Sequence, residues 1–252
     1  MKHPYLILIT IIGLIFSNPL KGYSQYSDTT VIQKDRLKFK TFLPGMIAIS
    51  YGVIALGDGA LKNLDHDIAE RRNGRRPTFH TNADDYLRYA PFVALYGYEL
   101  LGIKGKHNIK EKTSLVLLTA VISLGSTKIL KNSIDKERPN SYDFKSFPSG
   151  HAAIAFTGAE LINQEYGDLS PWYSIAGYTV ASATSILRVY SNDHWFSDIV
   201  AGAGVGILST KLAYVVYPHL KKLLVNKEKG LNFTAVPAYQ HGVPGIAISG
   251  RF

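Results

Sequence analysis

The chain contains no cysteine. That excludes disulfides, thiolate nucleophiles and thiolate metal sites together, and it suits an exported protein that does without disulfides. Acidic residues are also in short supply, 19 against 28 lysines and arginines, for a formal net charge of +9. This balance favours anionic partners: phosphate esters, anionic lipid headgroups or nucleic acid. No familiar nucleic-acid-binding module is present, so nucleic acid is not an expected partner. Clean apolar runs of the ~20 residues that a membrane-spanning helix needs are missing as well. The mean hydropathy of +0.02 lies between that of an ordinary soluble protein and that of a polytopic membrane protein. No internal repeat or low-complexity tract is visible.

What is there begins with a targeting-like segment. Lys2 and His3 precede an apolar run from Tyr5 to Phe16, and Gly22-Tyr23-Ser24 offers a small-x-small cleavage site. Residues 1–24 are therefore expected to be a signal peptide and residues 25–41 a polar N-terminal arm. Six apolar stretches follow: Phe42–Gly57, Tyr89–Ile103, Thr113–Ile129, Gly150–Ile162, Trp172–Leu187 and Ser197–Tyr217. They are too long for typical strands and rich in Ala, Leu and Ile, which predicts helices. The expected fold is all-α, a bundle of about six core helices over residues 42–225. In the tail, residues 226–252, Leu231, Phe233 and Ala235 alternate with polar residues before Gly242-Val243-Pro244-Gly245. That pattern predicts a short β-hairpin turning at Gly242–Gly245. One hairpin cannot close a membrane barrel, despite the terminal Phe252.

Between the first two stretches, Asp58–Arg88 is long and charged, with Arg71, Arg72, Arg75 and Arg76 around Asn73-Gly74. Its expected form is a solvated segment with a short helix, or a basic rim that attracts phosphorylated headgroups. Asp65-His66-Asp67 has metal-ligand residue types, but neighbours on a helix diverge and no second cluster completes a shell. No metal site is expected there.

Three short runs carry the chemistry. Lys131-x6-Arg138-Pro139 sets two cations at the end of the third apolar stretch, where Pro139 blocks helix continuation. A guanidinium grips phosphate bidentately and an ammonium adds a point charge. Pro148-Ser149-Gly150-His151 opens the fourth stretch. There Ser149 is a natural N-cap, Gly150 permits close backbone approach, and the helix start attracts anions. Arg188-x5-His194-x3-Asp198 joins the fifth and sixth stretches. On a helix Asp198 shares a face with His194, and a carboxylate on one ring nitrogen fixes the tautomer of the imidazole. Each run alone has an ordinary structural explanation: a charged helix end, a cap, a surface ion pair. In this order, each at a helix boundary, they are the equipment for holding a tetrahedral oxyanion and reacting it with histidine.

Order and spacing resemble the type 2 phosphatidic acid phosphatase (PAP2) and vanadium haloperoxidase superfamily over about residues 110–215. The resemblance implies His194 as nucleophile forming a phosphohistidine, with Asp198 orienting it. It implies His151 as the acid for the leaving oxygen and then the base for water. Lys131, Arg138 and Arg188 would neutralise the equatorial oxygens, with Ser149 and the Gly150 N–H completing the cradle. No metal or other cofactor is implied. One departure is Leu187 before Arg188, where the family commonly has Ser; that position is peripheral to the chemistry.

The implied function is hydrolysis of a phosphate monoester or pyrophosphate of an envelope lipid: phosphatidic acid, phosphatidylglycerol phosphate, undecaprenyl pyrophosphate or lipid A. Alternatives are a soluble periplasmic acid phosphatase of broad specificity, a haloperoxidase, or a non-catalytic anion-binding envelope protein. An anionic membrane surface is an expected partner. Lys104–Lys112 and Lys221–Lys229 are basic ends that the positive-inside rule places in the cytoplasm, with the motifs facing outward. A cleaved signal followed by six full spans would turn the motifs inward. The expectation is therefore an exported bundle, partly embedded in or lying on the membrane, with a periplasmic site.

Overall fold

Six helices account for the six apolar stretches. They are α1 (Leu43–Ile54), α4 (Ala90–Leu100), α5 (Ile109–Ser133), α6 (Gly150–Tyr166), α7 (Pro171–Tyr190) and α8 (Phe196–Glu228). Two more, α2 (Ala60–Arg75) and α3 (Ala83–Leu87), fill the charged connection, and β1 (Asn232–Gln240) and β2 (Val243–Arg251) follow α8. The computed structural model describes residues 39–75, 79–228, 232–240 and 243–251, with side chains through residue 223. All of these fall in the unit Arg36–Phe252. The expected signal peptide and nearly all of the expected arm lie outside the described residues.

Caps define the helix starts. Asn108 accepts the Glu111 N–H ahead of α5, and Ser149 accepts the Ala152 N–H ahead of α6. Ser170 accepts the Trp172 N–H ahead of α7, with Pro171 at the first helical position. Helix α6 is the centre, packed against α7, α8, α4 and α5. Its core face is built from small residues, with Ala152, Ala153, Ala155 and Ala159 all buried.

Small residues on α8 complete that contact. A Cβ on Gly202 would lie 2.5 Å from the Ser149 carbonyl, and one on Gly206 would lie 2.5 Å from that of Ala153. Only glycine lets the two backbones approach so closely. The N-terminal ends of α6 and α8 consequently lie side by side, tied by the Ser149 N–H donating to the Asp198 carbonyl at 3.0 Å. The second and third motifs meet at this junction.

Three expectations need correction. Pro139 does not end α5. The helix stops at Ser133, where Ile134 takes extended dihedrals (φ −128°, ψ 112°), and Lys136 then forms a bridge with Lys145. The Asp58–Arg88 segment is mostly helical, and it buries Asp65, Arg72 and Asp84. Arg72 is spent on structure, donating to the Tyr190 and Phe79 carbonyls; Arg76 lies outside the described residues. The hairpin forms, but Val243, Pro244 and Gly245 pair with Gln240, Tyr239 and Ala238 in the ladder. The chain therefore reverses between Gln240 and Val243, at the start of the expected Gly242–Gly245 turn rather than across it. Both strands are edges of a two-stranded sheet, where Pro237 and Pro244 are tolerated.

Candidate active site

His194 lies just ahead of α8, in the bend that precedes Phe196, rather than on its first turn. It is buried, 3% exposed. Asp198, on the first turn of α8, accepts the Trp195 N–H at 3.0 Å, which is half of a capping box and fixes the carboxylate. Its Oδ2 lies 3.7 Å from His194 Nδ1, and Ser146 Oγ stands 3.5 Å from the same nitrogen. Ser146 also donates to Asp198 Oδ2. Asp198 thus stands on the Nδ1 side of His194 at ion-pair rather than hydrogen-bond distance, and Ser146 shares that side. Burial pushes the His194 imidazole down to about 4, against the opposing pull of Asp198. Lys131 and Arg138 are near enough to disfavour its cation further.

His151 sits on the first turn of α6. Its Nε2 is 2.8 Å from Asp85 Oδ1, 3.0 Å from Arg88 Nη1 and 3.8 Å from Asp84 Oδ2. Burial lowers its pKa; the Asp85 hydrogen bond opposes this, and the Arg188 and Arg88 charges reinforce it. Burial thus favours the neutral form of both histidines.

The three expected cations each have a protein partner. Lys131 Nζ donates to the Lys145 carbonyl at 2.6 Å. Arg138 donates from Nε to Asp143 at 2.8 Å and from Nη1 to the Asp193 carbonyl at 3.0 Å. Arg188 Nη1 lies 2.7 Å from Asp84 Oδ2 and 3.1 Å from Asp193 Oδ2. Its Nε is buried without a protein acceptor, a donor left for a ligand. Asp193 therefore joins Arg138 to Arg188, and Asp84 joins Arg188 to His151. Ser149 is fully buried, its Oγ capping α6 and its N–H bound to Asp198, so it shapes the turn. Gly150 has open space around it: the nearest atom to a Cβ there would be Thr127 Cγ2 at 4.0 Å.

Among the described residues, Asp84, Asp85 and His151 are the one trio able to bring metal ligands within 4.8 Å of one another. Arg88 and Arg188 occupy hydrogen-bonding positions on the same groups. Two guanidiniums so placed repel a cation and suit an anion. Asp65, His66 and Asp67 do not gather. Asp65 is buried against Ser197, while the His66 ring lies 4.8 Å from that of Trp195.

Residues 112–222 match the PAP2 superfamily model. This is a PAP2-superfamily domain. The lipid A 1-phosphatase of Porphyromonas gingivalis is 34% identical over 193 residues, 74% of this chain. The chain spans 41% of that relative's length. Two solved structures also align. LpxE of Aquifex aeolicus has 21% identity, covering 58% of this chain and 93% of its own, with a TM-score of 0.45. The first transmembrane PAP2-type phosphatidylglycerolphosphate phosphatase from Bacillus subtilis has 19% identity, covering 73% and 96%, with a TM-score of 0.48.

The PAP2 domain recruits residues that the motifs alone do not announce. Ser146, Lys136 and Asp193 lie inside or next to the motifs and were findable by adjacency. Asp84, Asp85 and Arg88 come from α3 and its end, more than sixty positions from His151. Nothing local in the sequence marks them. Ser185, two residues before Leu187, donates to the Ala181 carbonyl and does not stand in for the family's Ser.

Proposed function

We propose that this PAP2-domain protein is a phosphatase acting on phosphorylated membrane lipids through a phosphohistidine on His194. A lipid A-type 1-phosphate is the first substrate to test, given the relative that the chain resembles. The observation that carries the reading is the single linked cluster of His151, His194, Arg138 and Arg188 where α6 and α8 begin together.

The chemistry follows from the placement. A phosphate entering beside Arg188 and Arg138 exchanges their carboxylate partners for its own oxygens, with Lys131 adding a third positive charge. Nδ1 of His194 faces Asp198 and Ser146, which leaves Nε2 to attack phosphorus. Because burial holds His194 neutral, its lone pair is available at ordinary pH. The incoming dianion raises the pKa of His151 beside it, so substrate binding itself prepares the acid. His151 gives its proton to the departing lipid oxygen as the P–O bond breaks. It then takes one from water, whose oxygen attacks phosphorus as the P–N bond breaks, releasing inorganic phosphate and free His194.

Helix α5 supports a lipid setting. It buries Thr119, Ser123 and Thr127 and exposes Leu117, Val121, Leu124 and Ile129. That is the reverse of a helix on a water-soluble protein, and it suits lipid outside with hydroxyls against neighbouring helices. Helix α5 and residues 196–223 of α8 are long and apolar enough to cross a bilayer. The cell envelope, with the site on the outer side, is the proposed location.

The test is phosphate release by purified protein from phosphatidic acid, phosphatidylglycerol phosphate, undecaprenyl pyrophosphate, lipid A and a soluble ester. At least one lipid should be hydrolysed, and His194→Ala should reduce release to background while the protein stays folded. Turnover of the soluble ester alone would remove the lipid assignment; activity retained by the variant would remove the mechanism. EDTA should leave activity intact and vanadate should inhibit, as a mimic of the pentacoordinate transition state.

A further inference from the structure

Behind His194 lies a second buried cluster, supplied by the charged helix α2. Asp65 is 2% exposed. Its Oδ1 accepts the Ser197 N–H at 2.9 Å, and its Oδ2 accepts the Ser197 hydroxyl. Lys136 Nζ stands between this carboxylate and the next, 3.3 Å from Asp65 Oδ2, 2.8 Å from Ser197 Oγ and 2.9 Å from Asp198 Oδ1. All three ammonium protons are thereby used. Asp198 is fully buried and has Lys136 on one oxygen, with Ser146 and the Trp195 N–H on the other, the oxygen that faces His194.

We infer that Asp65 and Lys136 are positioning residues for His194, acting through Asp198. The inference rests on His194 being the nucleophile. A carboxylate aligns an imidazole only if it is itself held, and Asp198 is held from behind by Lys136. Asp65 holds Lys136 in turn and offsets its charge, so the row alternates in sign: Asp65, Lys136, Asp198, His194. Lys136 tempers the negative field that Asp198 presents to the ring, and Asp65 tempers Lys136. The other charges acting on His194 are Lys131 and Arg138, which disfavour its cation.

A clamp that merely fastened α2 to α8 would make no statement about the basicity of His194. The alternating row does, with opposite signs at its two members. Lys136→Met removes a positive charge, so His194 protonates more easily and the acid limb of the kcat/KM profile moves to higher pH. Asp65→Asn leaves Lys136 uncompensated, and the limb moves to lower pH. Each shift should be about half a pH unit, since these charges act on the ring at one remove. In both variants kcat should fall about tenfold while KM stays within about twofold, the pattern of an interaction realised in the transition state. Lys136→Arg should restore most of kcat and return the limb.

Profiles are to be read beside thermal midpoints, with Lys136→Gln used if Lys136→Met is insoluble. Unchanged kcat and unmoved limbs would overturn the inference. So would losses of kcat that track the thermal midpoint without any movement of the limbs. His194→Ala separates the two levels: if it retains activity, the mechanism itself fails. If it is inactive while Asp65→Asn and Lys136→Met match the unaltered protein, only the positioning role fails.

Discussion

At the scale of single residues, burial decides which proton sits where. His194 is held down to about 4, so its reactive neutral form persists from mildly acidic pH upward. His151 is lowered from its ordinary value, and its protonated form in the free enzyme fades before neutrality. Because kcat/KM reports the free enzyme, it should rise as His194 loses its proton near pH 4 and fall as His151, itself lowered by burial, loses its own. The expected profile is a bell with its maximum on the acid side of neutrality. A maximum at pH 8 or above would contradict the assignment. His151→Ala should cost about 10²- to 10⁴-fold in kcat, the usual worth of general acid–base help. The loss should be smaller for an aryl phosphate than for an alkyl phosphate, because a phenolate leaves with less need of a proton.

At the scale of elements, the site depends on how closely α8 approaches α6. Gly202→Val would drive side-chain atoms into the Ser149 carbonyl, a backbone atom that cannot step aside. The expected cost is about 1–3 kcal/mol of stability, with activity lost beyond that because the two motif-bearing ends separate. Gly125→Ala on α5 is the contrast. A Cβ there meets nothing within 4 Å, and the change should stabilise the helix by about 0.5–1 kcal/mol. Thermal midpoints and phosphatase assays of the two variants check both statements. The six core helices were legible because each is an apolar run of helical length, and the cap Ser149 marks the start of α6. A short helix was expected in the charged connection too, but the length and burial of α2 were not, since its charged residues read as solvated. Its burial of Asp65 arises from Ser197 and Lys136, 132 and 71 positions away. The same holds for Asp84 and Asp85: a carboxylate pair in a charged connection gains meaning only when the fold delivers it to His151.

At the scale of the whole molecule, the arrangement places a polar reaction centre at one end of helices whose outer faces are apolar. Leucine and valine outside with threonine and serine inside on α5 is a sequence pattern that composition averages conceal, which is why the mean hydropathy left insertion open. Membranes from cells producing the protein should keep it through a carbonate wash and release it into detergent; release by carbonate alone would mean that the apolar faces only lie on the surface. The motifs carry the residues of the proposed oxyanion chemistry, whereas nothing in them names the lipid. The central claim is the covalent step on His194, and it is tested most directly by rapid acid-free quenching of turnover with a ³²P-labelled substrate, followed by peptide mapping. The account predicts an acid-labile, alkali-stable phosphoryl group on the peptide carrying His194, increased in His151→Ala when the substrate is an aryl phosphate, whose departure needs little acid while water is no longer activated. Label on another residue, or none at any time during turnover, would contradict it.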